Sequence, residues 1–240
     1  MTGTAQTLDD LRQRLQEVRS RIGAAARRSN RSPEEVKLLV VSKSHPADII
    51  RRAIEAGVSD LGENRVQEAE EKITEVGRSS ARWHLIGHLQ SNKARRAVTL
   101  FDVIHSLDSV ALAQRLESMC VEERREKLPV LIQLNLAGEQ TKSGIEKEAL
   151  PELVETVSGC SHLSLIGLMS VPPFFEDTEK VRPLFRQLRE LRDQLNLQGV
   201  FAGGGGELSM GMTHDFQVAI EEGATIVRIG TAIFGERQVT

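Results

Sequence analysis

Eight short apolar runs alternate along this chain with stretches whose apolar residues recur at helical spacing. The runs fall at 38–42, 58–63, 83–87, 101–105, 129–135, 163–169, 208–210 and 225–229. In several of them the apolar residues are continuous rather than alternating, as in Leu38-Leu39-Val40-Val41 and Val130-Leu131-Ile132. Strands buried on both faces read this way, and they call for a parallel sheet covered by helices. Helices are expected between the runs, opening at Pro46-Ala47-Asp48 and then over 65–76, 92–97, 109–123, 148–157, 181–195 and 215–222. At 240 residues the chain suits closure into a (β/α)8 TIM barrel, which typically takes about 250. A doubly wound open sheet is the other arrangement of the same elements. No stretch of linker composition divides the chain, so 1–240 reads as a single domain.

One helix precedes the first strand. Thr7-Leu8-Asp9-Asp10 resembles a capping box, and Leu8, Leu11, Leu15, Val18 and Ile22 then form one apolar stripe. Ser32-Pro33-Glu34-Glu35 predicts a short helical turn leading into the strand that ends at Lys43. Ala53-Ile54-Glu55-Ala56-Gly57 and Ala219-Ile220-Glu221-Glu222-Gly223 share a glycine stop before a strand, a recurring cap rather than a duplication.

The net charge of −3 gives no long-range attraction for nucleic acid or an anionic membrane. Lys93-Ala94-Arg95-Arg96 is basic, but in an acidic chain with few aromatics it reads as a solvated helix face rather than an RNA site. Cys120 and Cys160 are far apart and form no C-x-x-C, which points away from a disulfide framework or zinc site and suits a reducing cytosol. His84 and His88, four apart in a strand and its loop, share no face for a metal. The N-terminus has no signal-peptide pattern and no stretch reaches a membrane span of about 18 apolar residues, so the chain is expected to be soluble, cytoplasmic and unprocessed.

In a barrel the chemistry collects where strands end. The strand-end residues are Lys43; Asn64; His84 with Gly87 and His88; His105 with Ser106; Asn135; Met169 with Ser170; Ser209 with Met210; and Arg228 with Gly230 and Thr231. Lys43 is either a solvated amine at a strand end or one whose burial frees it as a nucleophile. The Gly230 and Thr231 amides open either a phosphate-binding turn, as loops after the last strands often do in this fold, or a plain glycine turn with Arg228 paired to an acid. Ser209 and Thr213 could donate to the same phosphate, and Asp215 is placed as an N-cap. Gly203-Gly204-Gly205-Gly206 precedes a strand instead of following one, so it reads as a flexible connection. The polar segment 138–144 reads as a mobile loop near the mouth.

Five motifs now carry a family likeness. Val41-Ser42-Lys43, Gly62-Glu63-Asn64-Arg65-Val66-Gln67-Glu68, Trp83-His84-Leu85-Ile86-Gly87-His88-Leu89-Gln90-Ser91-Asn92-Lys93, Leu208-Ser209-Met210-Gly211-Met212 and Val227-Arg228-Ile229-Gly230-Thr231 together resemble the pyridoxal phosphate homeostasis protein family. The likeness runs from about 38 to 235. It implies the alanine racemase-like barrel (fold type III) without the C-terminal β domain, and a Schiff base between Lys43 and pyridoxal 5′-phosphate (PLP). It implies phosphate ligands at Ser209, Gly230 and Thr231, with Arg228 facing either the pyridine nitrogen or the phosphate. Asn64, His84 and Met169 would line the cofactor. Thr213-His214 departs from the family's Ser and small residue, and the four glycines from a less flexible lead-in to the seventh strand.

The implied role is intracellular PLP (vitamin B6) homeostasis, affecting amino-acid and keto-acid balance, with PLP-dependent apoenzymes as recipients. The alternative is a PLP-dependent amino-acid racemase or related enzyme. Racemases of this class use a second base, a Tyr completed across subunits by a further β domain, and this chain has 0 Tyr. The expectation is therefore a monomeric carrier with no second base, rather than an enzyme.

Overall fold

The computed structural model describes residues 7–139 and 143–235. After helix α1 (Leu8–Arg28) the chain runs β1 (Lys37–Val41), α2 (Ala47–Glu55), β2 (Asp60–Glu63), α3 (Val66–Val76), β3 (Arg82–Leu85), α4 (Ala94–Leu100), β4 (Val103–Leu107) and α5 (Val110–Glu122). It continues with β5 (Leu128–Leu134), α6 (Leu150–Ser158), β6 (Leu163–Ser170), α7 (Arg182–Leu197), β7 (Glu207–Met212), α8 (Phe216–Glu221), β8 (Ile226–Ile229) and α9 (Thr231–Phe234). All neighbouring strands pair in parallel, and β8 pairs with β1, Arg228 opposite Leu39, so the sheet closes into a barrel. The open-sheet alternative is excluded by that pairing.

The capping box forms as expected. Thr7 Oγ1 accepts from the Asp10 amide at 3.1 Å, and the Asp10 carboxylate accepts from the Thr7 amide at 3.0 Å. Leu11, Leu15, Val18 and Ile22 are buried, and α1 packs on α2, α8 and α9, across the seam where the last strand meets the first. Arg31 fixes it there by donating to the carbonyls of Ile220 and Ala224. Gly57 and Gly223 take left-handed φ values of 97° and 99°, which accounts for the repeated helix stop.

The main apolar core lies between the strands and the helix ring, centred on Trp83, Phe101, Phe185 and Phe216. A second, smaller cluster of Val103, Leu131 and Met169 fills part of the barrel interior. Two strands are offset from their apolar runs. β4 carries on through His105 and Ser106 to Leu107, and β7 extends to Met212, because the interior face of this barrel holds polar groups as well as apolar ones. Asp215 occupies the N-cap position of α8 but makes no side-chain bond to a helix amide. Its Oδ1 instead accepts from the Met212 amide at 2.7 Å, fixing the turn after β7. Of the loop 138–144, residues 140–142 lie outside the described residues, and the mobility expected of it goes with them.

Candidate functional site

Lys43 follows β1 between two residues whose backbones are clamped from α3. Lys72 Nζ donates to the Ser42 carbonyl at 2.8 Å, to Glu63 Oε1 at 2.7 Å and to Glu68 Oε1 at 2.6 Å. The Ser42 hydroxyl donates to Glu63 Oε1 at 2.6 Å, and the Ser44 amide donates to Glu68 Oε1. Ser44 takes a left-handed φ of 64°, a conformation rare for a non-glycine residue, and its bond to Glu68 helps hold the turn there. The chain therefore leaves β1 sharply, with Lys43 at the corner. Burial pushes the Glu63 carboxyl up, against the pull of Lys72. Burial pushes Glu68 the same way, but the bonds from Lys72 and the Ser44 amide outweigh it and hold that carboxyl low.

Lys43 lines a cavity of about 330 Å³ at the C-terminal mouth, together with Val41, Asn64, Ile86, Val171, Met212, Thr213, His214, Arg228, Gly230 and Thr231. Five predicted site residues thus meet: Lys43, Asn64, Arg228, Gly230 and Thr231. Arg228 is buried, with Nη1 on Ser209 Oγ at 2.7 Å and Nη2 on the Ser170 carbonyl at 2.8 Å, so its guanidinium plane is fixed. Burial lowers its pKa to about 10, against the field of Asp215, and it stays cationic near neutrality. Gly230 brings the backbone close: a Cβ there would stand 3.2 Å from the Val41 carbonyl oxygen. As in any helix, the first amides of α9 lack intrahelical acceptors and are open to an anion.

The other three predicted residues are placed elsewhere. Ser209 is fully buried behind Arg228, its oxygen shared between Arg228 and His105, and it does not line the cavity. Thr213, three residues past the end of the predicted run, lines it instead. Met169 packs on Val103 and Leu131 inside the barrel. His84 lies toward the opposite mouth, where it bonds Asp60 and His105. The reading by strand ends missed this because β3 begins at Arg82, which turns His84 into the interior, low in the barrel. The clamp of Glu63, Glu68 and Lys72 was also missed; its trace in the sequence is the Glu68/Lys72 spacing of four on one helix. Among the described residues no three His, Cys, Asp or Glu side chains group as a metal site.

Residues 8–238 match the model of the alanine racemase N-terminal domain. The chain is 45% identical over 226 residues to the pyridoxal phosphate homeostasis protein of Aquifex aeolicus, covering 94% of this chain and 98% of that one. It is 41% identical over 243 residues to the protein of the same name from Escherichia coli K12, at 96% and 98% coverage. The structure of PipY from Synechococcus elongatus PCC7942 with PLP bound superposes with a TM-score of 0.82 at 38% identity, covering 94% of this chain and 100% of that one. Alanine racemase from Corynebacterium glutamicum shares the fold alone, with a TM-score of 0.67 at 16% identity over 97% of this chain and 62% of its own. Matched nearly end to end by these relatives, and carrying Lys43 at the mouth of the same barrel, the chain belongs to the pyridoxal phosphate homeostasis protein family.

Proposed function

We propose that this protein holds pyridoxal 5′-phosphate at the C-terminal mouth, with Lys43 as its covalent anchor, and acts as a carrier in PLP homeostasis. The observation that carries the reading is the convergence of an amine, a fixed guanidinium, two threonine hydroxyls and the opening amides of α9 on one cavity. The residues fit such a group: the cofactor supplies an aldehyde for an amine and a phosphate for hydroxyl and amide donors. Thr213, Thr231 and the Gly230-Thr231 backbone take the phosphate. Arg228, held flat by Ser209 and the Ser170 carbonyl, would face the ring. A permanent cation beside the ring nitrogen disfavours its protonation and so weakens the ring as an electron sink.

Carrier rather than enzyme is the reading the lining supports. Turnover at a bound amino acid needs a proton taken and returned by positioned bases. Besides Lys43 and Arg228, the titratable group on the cavity wall is His214. Its Nε2 is engaged by the carbonyls of Phe175 at 3.1 Å and Glu176 at 3.3 Å, which ties the imidazole to the loop after β6. The relatives above are likewise named for homeostasis. Incubating the loaded protein with D- and L-amino acids, while following chirality and the visible cofactor band, tests the proposal. Unchanged chirality with slow loss of the band to an added PLP-dependent apoenzyme is expected; catalytic turnover of either enantiomer contradicts it.

A further inference from the structure

Five side chains form one hydrogen-bonded line through the barrel. Arg228 Nη1 bonds Ser209 Oγ at 2.7 Å, Ser209 Oγ bonds His105 Nδ1 at 2.9 Å, His105 Nε2 bonds His84 Nδ1 at 2.9 Å, and His84 Nε2 bonds Asp60 Oδ1 at 3.0 Å. A guanidinium only donates and a carboxylate only accepts. With neutral imidazoles the hydrogens therefore have a single assignment: Ser209 donates to His105, His105 from Nε2 to His84, and His84 from Nε2 to Asp60. Every donor points from the C-terminal mouth toward the N-terminal one. Barrel interiors are ordinarily filled by layers of branched apolar side chains, so a continuous polar line joining the two ends calls for a use.

At its far end lies a cavity of about 500 Å³, lined by Lys37, Arg82, His84, Arg192, Glu207 and the glycine loop 203–206 among others. Lys37, Asp60 and Arg82 are the first residues of β1, β2 and β3. Asp60 is committed to His84 and Ser59, Glu207 to Thr225, and Arg192 to Asp193 and the Gly206 carbonyl. Neither the Lys37 nor the Arg82 side chain has a hydrogen-bond or ion-pair partner among the described residues. Two uncommitted cations thus stand over a cavity with His84 in its wall.

We propose that the N-terminal mouth is a second ligand site, taking a small oxyanion, carboxylate or phosphate, on Lys37 and Arg82, and that its occupancy is passed along the line to Arg228. The binding half stands on this mouth alone; the coupling half rests on the cofactor role of Arg228 proposed above. The physical link is charge. Burial first, then the fields of Arg82 and Lys37, disfavour the imidazolium of His84, against Asp60, which favours it. For His105 burial leads again, followed by His84, Arg228, Lys37 and Arg82. A bound oxyanion offsets the fields of the two mouth cations, leaving burial opposed by Asp60, and so shifts the balance toward a proton at His84 Nδ1. His105 must then accept at Nε2 and donate from Nδ1. Ser209 receives donors from both His105 and Arg228, which loosens its hold on the arginine.

The test is a titration of the PLP-loaded protein with succinate and, separately, with inorganic phosphate, following the imidazole ¹⁵N signals of His84 and His105 and the visible cofactor band. Saturable shifts in both readouts are expected, with the more effective anion identifying the ligand as carboxylate or phosphate. K37Q and R82Q should each weaken binding by about tenfold or more, since each removes one charge-assisted contact, while the protein still loads with cofactor. S209A should keep the imidazole response and lose the response of the band. Absence of saturable imidazole shifts with both anions, or shifts unchanged in K37Q and R82Q, overturns the site. Imidazole shifts with a silent band in the unsubstituted protein overturn the coupling. Failure to load with cofactor is read before any anion is added; it sinks the carrier reading, and the imidazole titration of the apoprotein still decides the site.

Discussion

Lys72 sits on a helix, yet it organises the corner that presents Lys43, bonding Ser42, Glu63 and Glu68 at once. Its removal strands the buried Glu63 charge, so K72M should lower unfolding free energy by about 3–5 kcal/mol, the usual consequence of breaking a buried pair. Urea unfolding measures this, and a loss within the range of a surface pair would show the clamp to be unimportant. Gly87 makes a sharper claim about geometry. A Cβ there would fall 2.3 Å from the Asn64 carbonyl oxygen, a separation that only backbone movement relieves. G87A should therefore shift Asn64 in the cavity and weaken cofactor affinity by about tenfold or more, a change of about 1.4 kcal/mol, as read by titration of the visible band. At this scale the sequence named Lys43, Asn64, Arg228, Gly230 and Thr231, which the fold gathers around one cavity. It misplaced His84, Ser209 and Met169 because depth within a barrel depends on where each strand starts and on its register, which a strand's own residues do not state.

Between elements, Glu117 on α5 binds the start of β6, accepting from the amides of Ser161 at 3.0 Å, His162 at 3.0 Å and Leu163 at 3.2 Å and from His162 Nδ1 at 2.8 Å. Burial raises this carboxyl's pKa, but the His162 side chain and the amides more than offset it and hold it below its ordinary value. A carboxyl depressed in the folded state contributes stability that is present above its ordinary pKa and is lost as pH falls through the folded one. E117Q should cost about 1–3 kcal/mol near neutrality, and its deficit should shrink in acid; a deficit independent of pH would contradict the ionic role. Element types were legible because continuous apolar runs, Gly stops and the Thr7 box each have a local physical cause. The ends of β4 and β7 were not, since their polar residues are admitted by an interior line of hydrogen bonds that only the closed barrel creates.

For the whole molecule, closure of β8 on β1 brings residues from opposite ends of the chain to one mouth, which explains why Lys43 and Arg228 could be found separately in sequence yet joined only by the fold. The same packing answers the basic stretch 93–96. Arg95 pairs with Glu122 and Glu123, and Arg96 with Glu70, on neighbouring helices. Mobility-shift titrations should therefore give no salt-sensitive binding to RNA or DNA, and binding lost on removing Arg95 and Arg96 would contradict this reading. The central claim concerns a single amine. Loading the protein with pyridoxal 5′-phosphate, reducing with borohydride and mapping the labelled peptide should place the modification on Lys43, with K43A leaving no stoichiometric label. Stoichiometric label on Lys72, Lys93 or Lys142 instead would contradict the account.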